Sequence, residues 1–145
     1  MYAIRDARQE DVPALQELDA LFAGPRHSDE LFLKAIFERR VGVAEEGGSG
    51  VLAGYVRWDY FWDTIPLCFT VCVRPKNHRQ GIGRRLYGHV ETALRDAGAA
   101  FWLSSTEETN KRSLLFHDAL GFRRIGTLFD LGQDVGEIFL RKDLA

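Results

Sequence analysis

The stretch Val73-Arg74-Pro75-Lys76-Asn77-His78-Arg79-Gln80-Gly81-Ile82-Gly83-Arg84-Arg85-Leu86 decides how the rest of the chain is read. It follows residues 67–73, which are apolar or small on both faces, the pattern of a central strand buried on both sides. It leads into residues 81–97, where Ile82, Leu86, Val90, Ala93, Leu94 and Ala97 recur at helical spacing and Gly98 ends the run. The order is therefore strand, cationic loop, helix start. The first N–H groups of a helix have no internal partner, and the helix dipole adds roughly half a positive charge there. A phosphate fits that end. Glycines let the backbone approach it, and flanking arginines add charge-assisted hydrogen bonds.

Charge supports the same reading. From Arg74 to Arg85 stand five cations (Arg74, Lys76, Arg79, Arg84, Arg85) with His78 and no acid, in a chain whose net charge is −2. A cationic island on an acidic chain selects a small anionic ligand over a long polyanion, so no nucleic-acid partner is expected. Two familiar phosphate motifs are excluded. A P-loop needs Gly-x-x-x-x-Gly-Lys-Ser/Thr, which is absent. A dinucleotide fingerprint needs a third glycine where this chain has Leu86, and it follows its strand directly.

Working outward toward the N-terminus, residues 51–59 read as a strand returning from residues 41–44 through the turn 46–50, a hairpin. Tyr60, Phe61 and Trp62 then fall in an aromatic loop. Residues 2–5 alternate as a first strand. Between them lie two helices. Val12, Leu15, Leu18 and Phe22 mark the first, with Pro13 in its opening turn and Gly24-Pro25 as its stop. Ser28 caps the second, which carries Leu31, Phe32, Ala35 and Ile36 on one face. Toward the C-terminus, residues 101–103 are a short strand. Asn110 caps a helix with Leu114, Leu115, Ala119 and Leu120, closed by Gly121. Residues 123–129 and 135–140 are the last two strands. The order β-α-α-β-β-β-α-β-α-β-β predicts an α/β sandwich, one mixed sheet of about seven strands with four helices.

The 145 residues suit a single domain, 1–145, and 46% apolar with 28% charged residues is a globular composition. No apolar run is long enough to span a membrane, and the first residues carry no signal-peptide pattern, so a cytoplasmic protein without a membrane partner is expected. Cys68 and Cys72 stand four apart in one strand, which places them on one face about 13 Å apart, too far for a disulfide. Reduced core thiols are the expectation. The four histidines have no metal-ligand spacing, and no metal is expected.

The segment Val73–Leu86 resembles the acetyl-CoA motif of the GNAT superfamily of N-acetyltransferases: valine, a basic or polar residue, proline, then Arg/Gln-x-x-Gly-x-Gly/Ala into a helix. Asn110-Lys111-Arg112-Ser113-Leu114-Leu115-Phe116-His117-Asp118-Ala119-Leu120-Gly121-Phe122 is similar to the family's Asn-x-x-(Ala/Ser)-x-x-(Leu/Phe)-(Tyr/His)-x-x-x-Gly-Phe segment. The two motifs stand in the family's order. The resemblance implies a mostly antiparallel GNAT-like sheet and direct transfer of an acetyl group from acetyl-CoA to a primary amine of a small molecule or peptide. It implies that the pyrophosphate of coenzyme A lies on the amides of Arg79, Gln80, Gly81, Ile82, Gly83 and Arg84. The pantetheine arm would pair with a splayed strand at Val71, Cys72 and Val73, where an N–H would polarise the thioester carbonyl. Asn110, Ser113, Phe116 and His117 would line the arm's other side. Homodimers are common in the family and are expected here.

Two residues depart from the pattern. His78 replaces the family's Arg/Gln before the first glycine, and a role for its backbone rather than its side chain is expected. His117 stands where many members have a tyrosine held to protonate the leaving thiolate. An imidazolium could do this, since its reference pKa of about 6.5 lies near working pH. A helix histidine with only packing duties is the alternative. For the base that deprotonates the amine, Asp59 and Glu107 are the candidates. Trp58, Tyr60, Phe61 and Trp62, with residues 22–29 and His27, are candidates for the acceptor groove. A second function class remains open, a non-catalytic acyl-CoA sensor on the same fold. The Phe116-His117 segment also occurs in glyoxalase-like metal enzymes, but this chain lacks their doubled module and ligand set.

Overall fold

The computed structural model describes residues 1–22 and 27–145. The expected stop at Gly24-Pro25 lies outside the described residues. Seven strands and four helices follow one another in the predicted order: β1 (Tyr2–Asp6), α1 (Val12–Asp19), α2 (Asp29–Phe37), β2 (Val41–Glu46), β3 (Leu52–Phe61), β4 (Ile65–Val73), α3 (Ile82–Asp96), β5 (Phe101–Glu107), α4 (Lys111–Ala119), β6 (Arg123–Leu128) and β7 (Glu137–Asp143). The sheet runs β1-β2-β3-β4-β5-β7-β6. Every neighbouring pair is antiparallel except β4 and β5, which are parallel and joined by α3. No helix among the described residues is long and apolar enough to cross a membrane.

Each face of the sheet carries its own core. On one, α1 and α2 cover β2–β4, burying Leu15, Leu18, Phe32, Val43 and Tyr55. On the other, α3 lays Ile82, Leu86, Val90 and Leu94 against Trp58, Trp102 and Leu140. Those four helix side chains are at most 2% exposed. Each stabilises the fold by about 1.5–3 kcal/mol through apolar burial. Ser28 caps α2 as its position suggests, its hydroxyl accepting from the Leu31 N–H at 3.1 Å.

Four expectations fail. The first concerns β4. Arg57 pairs with Thr70 and Trp58 with Cys68, so Phe69 is an extra residue in the strand, a β-bulge. The bulge reverses the alternation of side chains. Cys68 enters the α3-side core and Cys72 the α1/α2-side core, on opposite faces rather than one. Both are free thiols, raised by burial to about 11 and about 12.

The second also concerns β4. Its first half is buried, but Phe69 is exposed and Val71 and Val73 only half-buried. The parallel pair meets at Leu67 and Leu103 alone; beyond that point β4 and β5 diverge. Third, Tyr60 and Phe61 belong to β3, not to a loop. The hairpin turns through Trp62 and Asp63, both at positive φ (50° and 62°). Trp58 is buried in the core with Tyr60 edge-on to it, while Phe61 stacks on an exposed Trp62. The four aromatics therefore line no common pocket. On α4, Leu115 and Ala119 are exposed rather than core-facing.

Candidate active site

The divergence of β4 from β5 opens a cleft of about 530 Å³. Val71 and Val73 form its β4 wall. The loop and helix start supply His78, Arg79, Gly81, Ile82, Gly83 and Arg84. Asn110, Ser113 and Phe116 of the α4 segment close the opposite side. Eleven of the residues singled out from the sequence are thereby brought together. Phe22, Asn77, Arg112 and Ala119 join them. Arg112 and Ala119 sit on the α4 segment that the motif already marked, and Asn77 in the quoted loop; Phe22 stood among the acceptor-side candidates.

The loop gets its shape from its own side chains. Pro75–Asn77 makes one tight helical turn, and Arg79 and Gly81 take left-handed backbone angles (φ 64° and 75°). Asn77 is buried, donating from Nδ2 to the Tyr2 hydroxyl at 2.8 Å and to Glu46 Oε1 at 3.1 Å. Tyr2 in turn donates to Gln80 Oε1 at 2.5 Å, which ties the loop to β1 and turns the Gln80 side chain away from the cleft. His78 donates from Nε2 to the Val73 carbonyl at 2.8 Å. Its side chain thus pins the loop to the end of β4.

The helix start is a ready anion cradle. The first helical bond runs from the Arg85 N–H to the Gly81 carbonyl, so the amides of Ile82, Gly83 and Arg84 have no helical acceptor. Gly81 at φ 75° takes the N-cap position with no capping side chain to cover them. Gly83 packs so closely on the Phe116 ring that a Cβ would lie 3.1 Å from it. The cleft wall carries Arg79, Arg84 and Arg112 and no acid. Free amides, a dipole end, three guanidinium groups and an elongated apolar continuation between Val71 and Phe116 fit a phosphate-bearing ligand with a long thin arm.

Besides Gln80, four proposed residues lie outside the cleft: Cys72, His117, Glu107 and Asp59. Cys72 is buried against Tyr55 on the far face, because of the bulge. His117 is 1% exposed and sits behind the cleft wall. Its Nδ1–H donates to the Ser113 carbonyl at 2.8 Å, and its Nε2 meets Ser104 Oγ at 2.8 Å and the Tyr87 hydroxyl at 3.0 Å. Burial lowers its pKa. A neutral imidazole whose only ring proton is given to a backbone carbonyl has none to offer a thiolate, so the packing alternative describes it and the acid role does not. Glu107 is exposed at the end of β5 and outside the cleft.

Asp59 lies on the far side of β3, where Oδ1 accepts from Arg40 and, at 2.7 Å, from the Tyr60 N–H. It lines a second, polar cleft of about 370 Å³ beside α2. Asn110 serves both wall and helix: its Oδ1 accepts from the Ser113 N–H at 3.0 Å, capping α4. No sequence signal marks the buried Tyr87 hydroxyl, which fills an otherwise apolar helix stripe and is raised well above its ordinary pKa by burial.

The model of the Acetyltransferase (GNAT) family matches residues 2–122. The chain belongs to that family. The matched residues run from β1 past the end of α4 and include the split between β4 and β5. Among its relatives is the L-amino acid N-acyltransferase MnaT of Escherichia coli strain K12, 29% identical over 97% of this chain and 94% of the relative. Among solved structures, the acetyltransferase yncA from Salmonella typhimurium, described as putative and determined with its cofactor acetyl-CoA, superposes with a TM-score of 0.81. It is 22% identical over 99% of this chain and 94% of its own. The ribosomal-protein-S18-alanine N-acetyltransferase from Escherichia coli gives the same TM-score at 20% identity, over 100% of this chain and 95% of its own. These likenesses establish the fold of a GNAT acetyltransferase.

Proposed function

We propose that the chain transfers an acetyl group from acetyl-CoA to a primary amine of a small molecule or peptide, by direct attack while both are bound. The observation that carries this reading is the cleft between β4 and β5. Its acid-free cationic end, with free amides at Ile82–Arg84, suits a pyrophosphate, and its apolar length between Val71 and Phe116 suits a pantetheine arm. The relative yncA holds acetyl-CoA, and MnaT acylates L-amino acids by name, both in keeping with this donor and acceptor.

The protein's own groups act by placement. The helix start and Arg79, Arg84 and Arg112 would hold the phosphates. Beyond Leu67–Leu103, the edge of β4 that faces β5 has no strand partner, so its N–H groups are available to the arm and to the thioester oxygen. Holding two reactants in one cleft converts a bimolecular encounter into a positioned one.

The test joins a binding and a transfer measurement. Acetyl-CoA binding by calorimetry is expected in the wild type and lost by more than about 100-fold in Gly81→Asp and Gly83→Asp. The carboxylate meets the dipole end in both; Gly81→Asp adds a strained φ and Gly83→Asp a clash with Phe116. Intact binding in both variants defeats the donor assignment. Labelled acetyl transfer is then screened against free amino acids, peptide N-termini and polyamines. Tight binding with no transfer to any amine would make the chain a sensor instead.

A further inference from the structure

On the face of the sheet opposite α3, a group of titratable side chains has no part in the cleft just described. Asp19, the last residue of α1, is 5% exposed. Its carboxylate accepts from the His27 N–H at 2.9 Å, the Tyr55 hydroxyl at 2.9 Å and His27 Nδ1–H at 3.1 Å. Burial alone would raise its pKa, but these three bonds outweigh that and lower it, so Asp19 is ionised. The His27 ring is stacked on Phe32 at 4.9 Å and meets Tyr55 edge-on at 6.3 Å. The carboxylate thus fixes the ring proton on Nδ1, and the two aromatic rings fix its orientation.

The lone pair on Nε2 then points toward β3 and β4. It accepts from the Arg57 Nε–H at 3.3 Å and lies 3.5 Å from Thr70 Oγ1. Thr70 comes directly after the Phe69 bulge and directly before Val71, which walls the cationic cleft. Nε2 is therefore poised over β4 where that strand's partner leaves it. On the other side, Ser28 and Arg57 belong to the second cleft, which also carries Glu30, Glu38 and Asp59. Charges of both signs ring it: Glu30, Glu38 and Asp59 against Lys34, Arg57 and Arg40, which bridges Glu38 and Asp59.

We propose that His27, oriented by Asp19, is the base that takes the proton from an acceptor amine arriving through this polar cleft. The inference rests on the acetyl-transfer reading above and names a catalytic group for it. An acceptor ammonium takes the place of the Arg57 N–H at Nε2 and gives one proton to that lone pair, leaving a neutral amine and an imidazolium. The amine lone pair forms the C–N bond to the thioester carbon, and the C–S bond breaks with its electron pair going to sulfur. The second amine proton passes to the thiolate. The products are amide, coenzyme A thiol and imidazolium, which returns its proton to water.

The test compares wild type with His27→Ala and His27→Gln. In His27→Ala, kcat/KM is expected to fall by about 100-fold or more, the scale of general-base catalysis. The Kd for acetyl-CoA is expected to stay within about twofold, and added imidazole to restore turnover in a saturable way. His27→Gln, which keeps a donor for Asp19, is expected to fold as wild type and to lose the same activity. Turnover within about threefold of wild type in either variant overturns the proposal. So does a loss in His27→Ala that imidazole does not relieve, which would leave the residue a structural tie. A wild type that binds acetyl-CoA but acetylates no amine defeats the underlying reading instead.

Discussion

The cationic cleft takes most of its ligand-facing groups from one short stretch, residues 71–84, whereas the opposite face gathers Asp19, His27, Arg57 and Thr70 from α1, the segment after it, β3 and β4. The cleft works mainly through backbone: free amides, a helix end, and glycines whose missing Cβ atoms leave room. The opposite face works through side chains alone, each held by the next. A backbone site tolerates truncation of its side chains but not added bulk or negative charge at its glycines. A side-chain relay fails when any member is removed.

His117 belongs to neither region, and its replacement is expected to give the largest effect on stability. His117→Ala removes a buried ring and leaves the Ser104 and Tyr87 hydroxyls and the Ser113 carbonyl short of a partner. A loss of about 3 kcal/mol is expected from urea unfolding. Acetyl transfer by the folded variant below its melting temperature is expected within a few-fold of wild type. A loss of about 100-fold in folded protein would return the residue to the chemistry.

Its titration carries a sign that can be checked. The unfolded chain takes up a proton on this residue below about pH 6.5, while the folded state holds its pKa lower. The unfolded state then binds more protons, so stability falls as pH drops from about 6.5 toward the folded value. Thermal melts of His117→Gln against pH should be flatter in that window than those of wild type.

A smaller effect sharpens the contrast on the cationic side. Arg79→Ala and Arg84→Ala each remove one guanidinium group but leave the amides and the dipole. Each is expected to weaken acetyl-CoA binding by about 5–10-fold, or roughly 1 kcal/mol, and to make the Kd less sensitive to salt. If either truncation matched the loss expected for Gly81→Asp, the site would depend on side chains after all.

The two regions also differ in how far the sequence reveals them. Val73–Leu86 and Asn110–Phe122 are contiguous, so local spacing exposes both walls of the cleft. The order of elements was legible because apolar periodicity and caps such as Ser28 and Asn110 act over a few residues. The bulge at Phe69 was not. It adds one residue against a partner strand, and nothing in Leu67–Val73 alone marks which residue is extra. Its consequence, Cys68 and Cys72 on opposite faces, was therefore misread. The His27–Asp19 pair spans eight positions and acquires meaning only when β3 and β4 bring Arg57 and Thr70 beneath it. His117 sits in a motif position that suggests chemistry, but the tyrosine at position 87, one helix away, engages its ring in the core.

The smallest effects are expected where the sequence pointed to a base and the fold places none. Asp59 holds Arg40, and that guanidinium also lies over the Trp58 and Tyr60 rings, at 5.6 and 5.0 Å. The carboxylate is thus part of a packed cation–aromatic group at the rim of the second cleft. Asp59→Asn keeps an oxygen for Arg40 and the Tyr60 N–H but removes one negative charge. It should raise KM for a cationic acceptor by about two- to threefold and leave kcat nearly unchanged. Glu107 is exposed at the end of β5, and its backbone carbonyl accepts from the Asn110 N–H at 3.0 Å. Glu107→Gln preserves that backbone bond and should change neither parameter measurably. A drop in kcat of about 100-fold in Asp59→Asn, with His27→Gln fully active, would move the base from the β4 side of β3 to the rim of the cleft. The side-chain relay opposite the backbone-built donor site would then have no part in the chemistry.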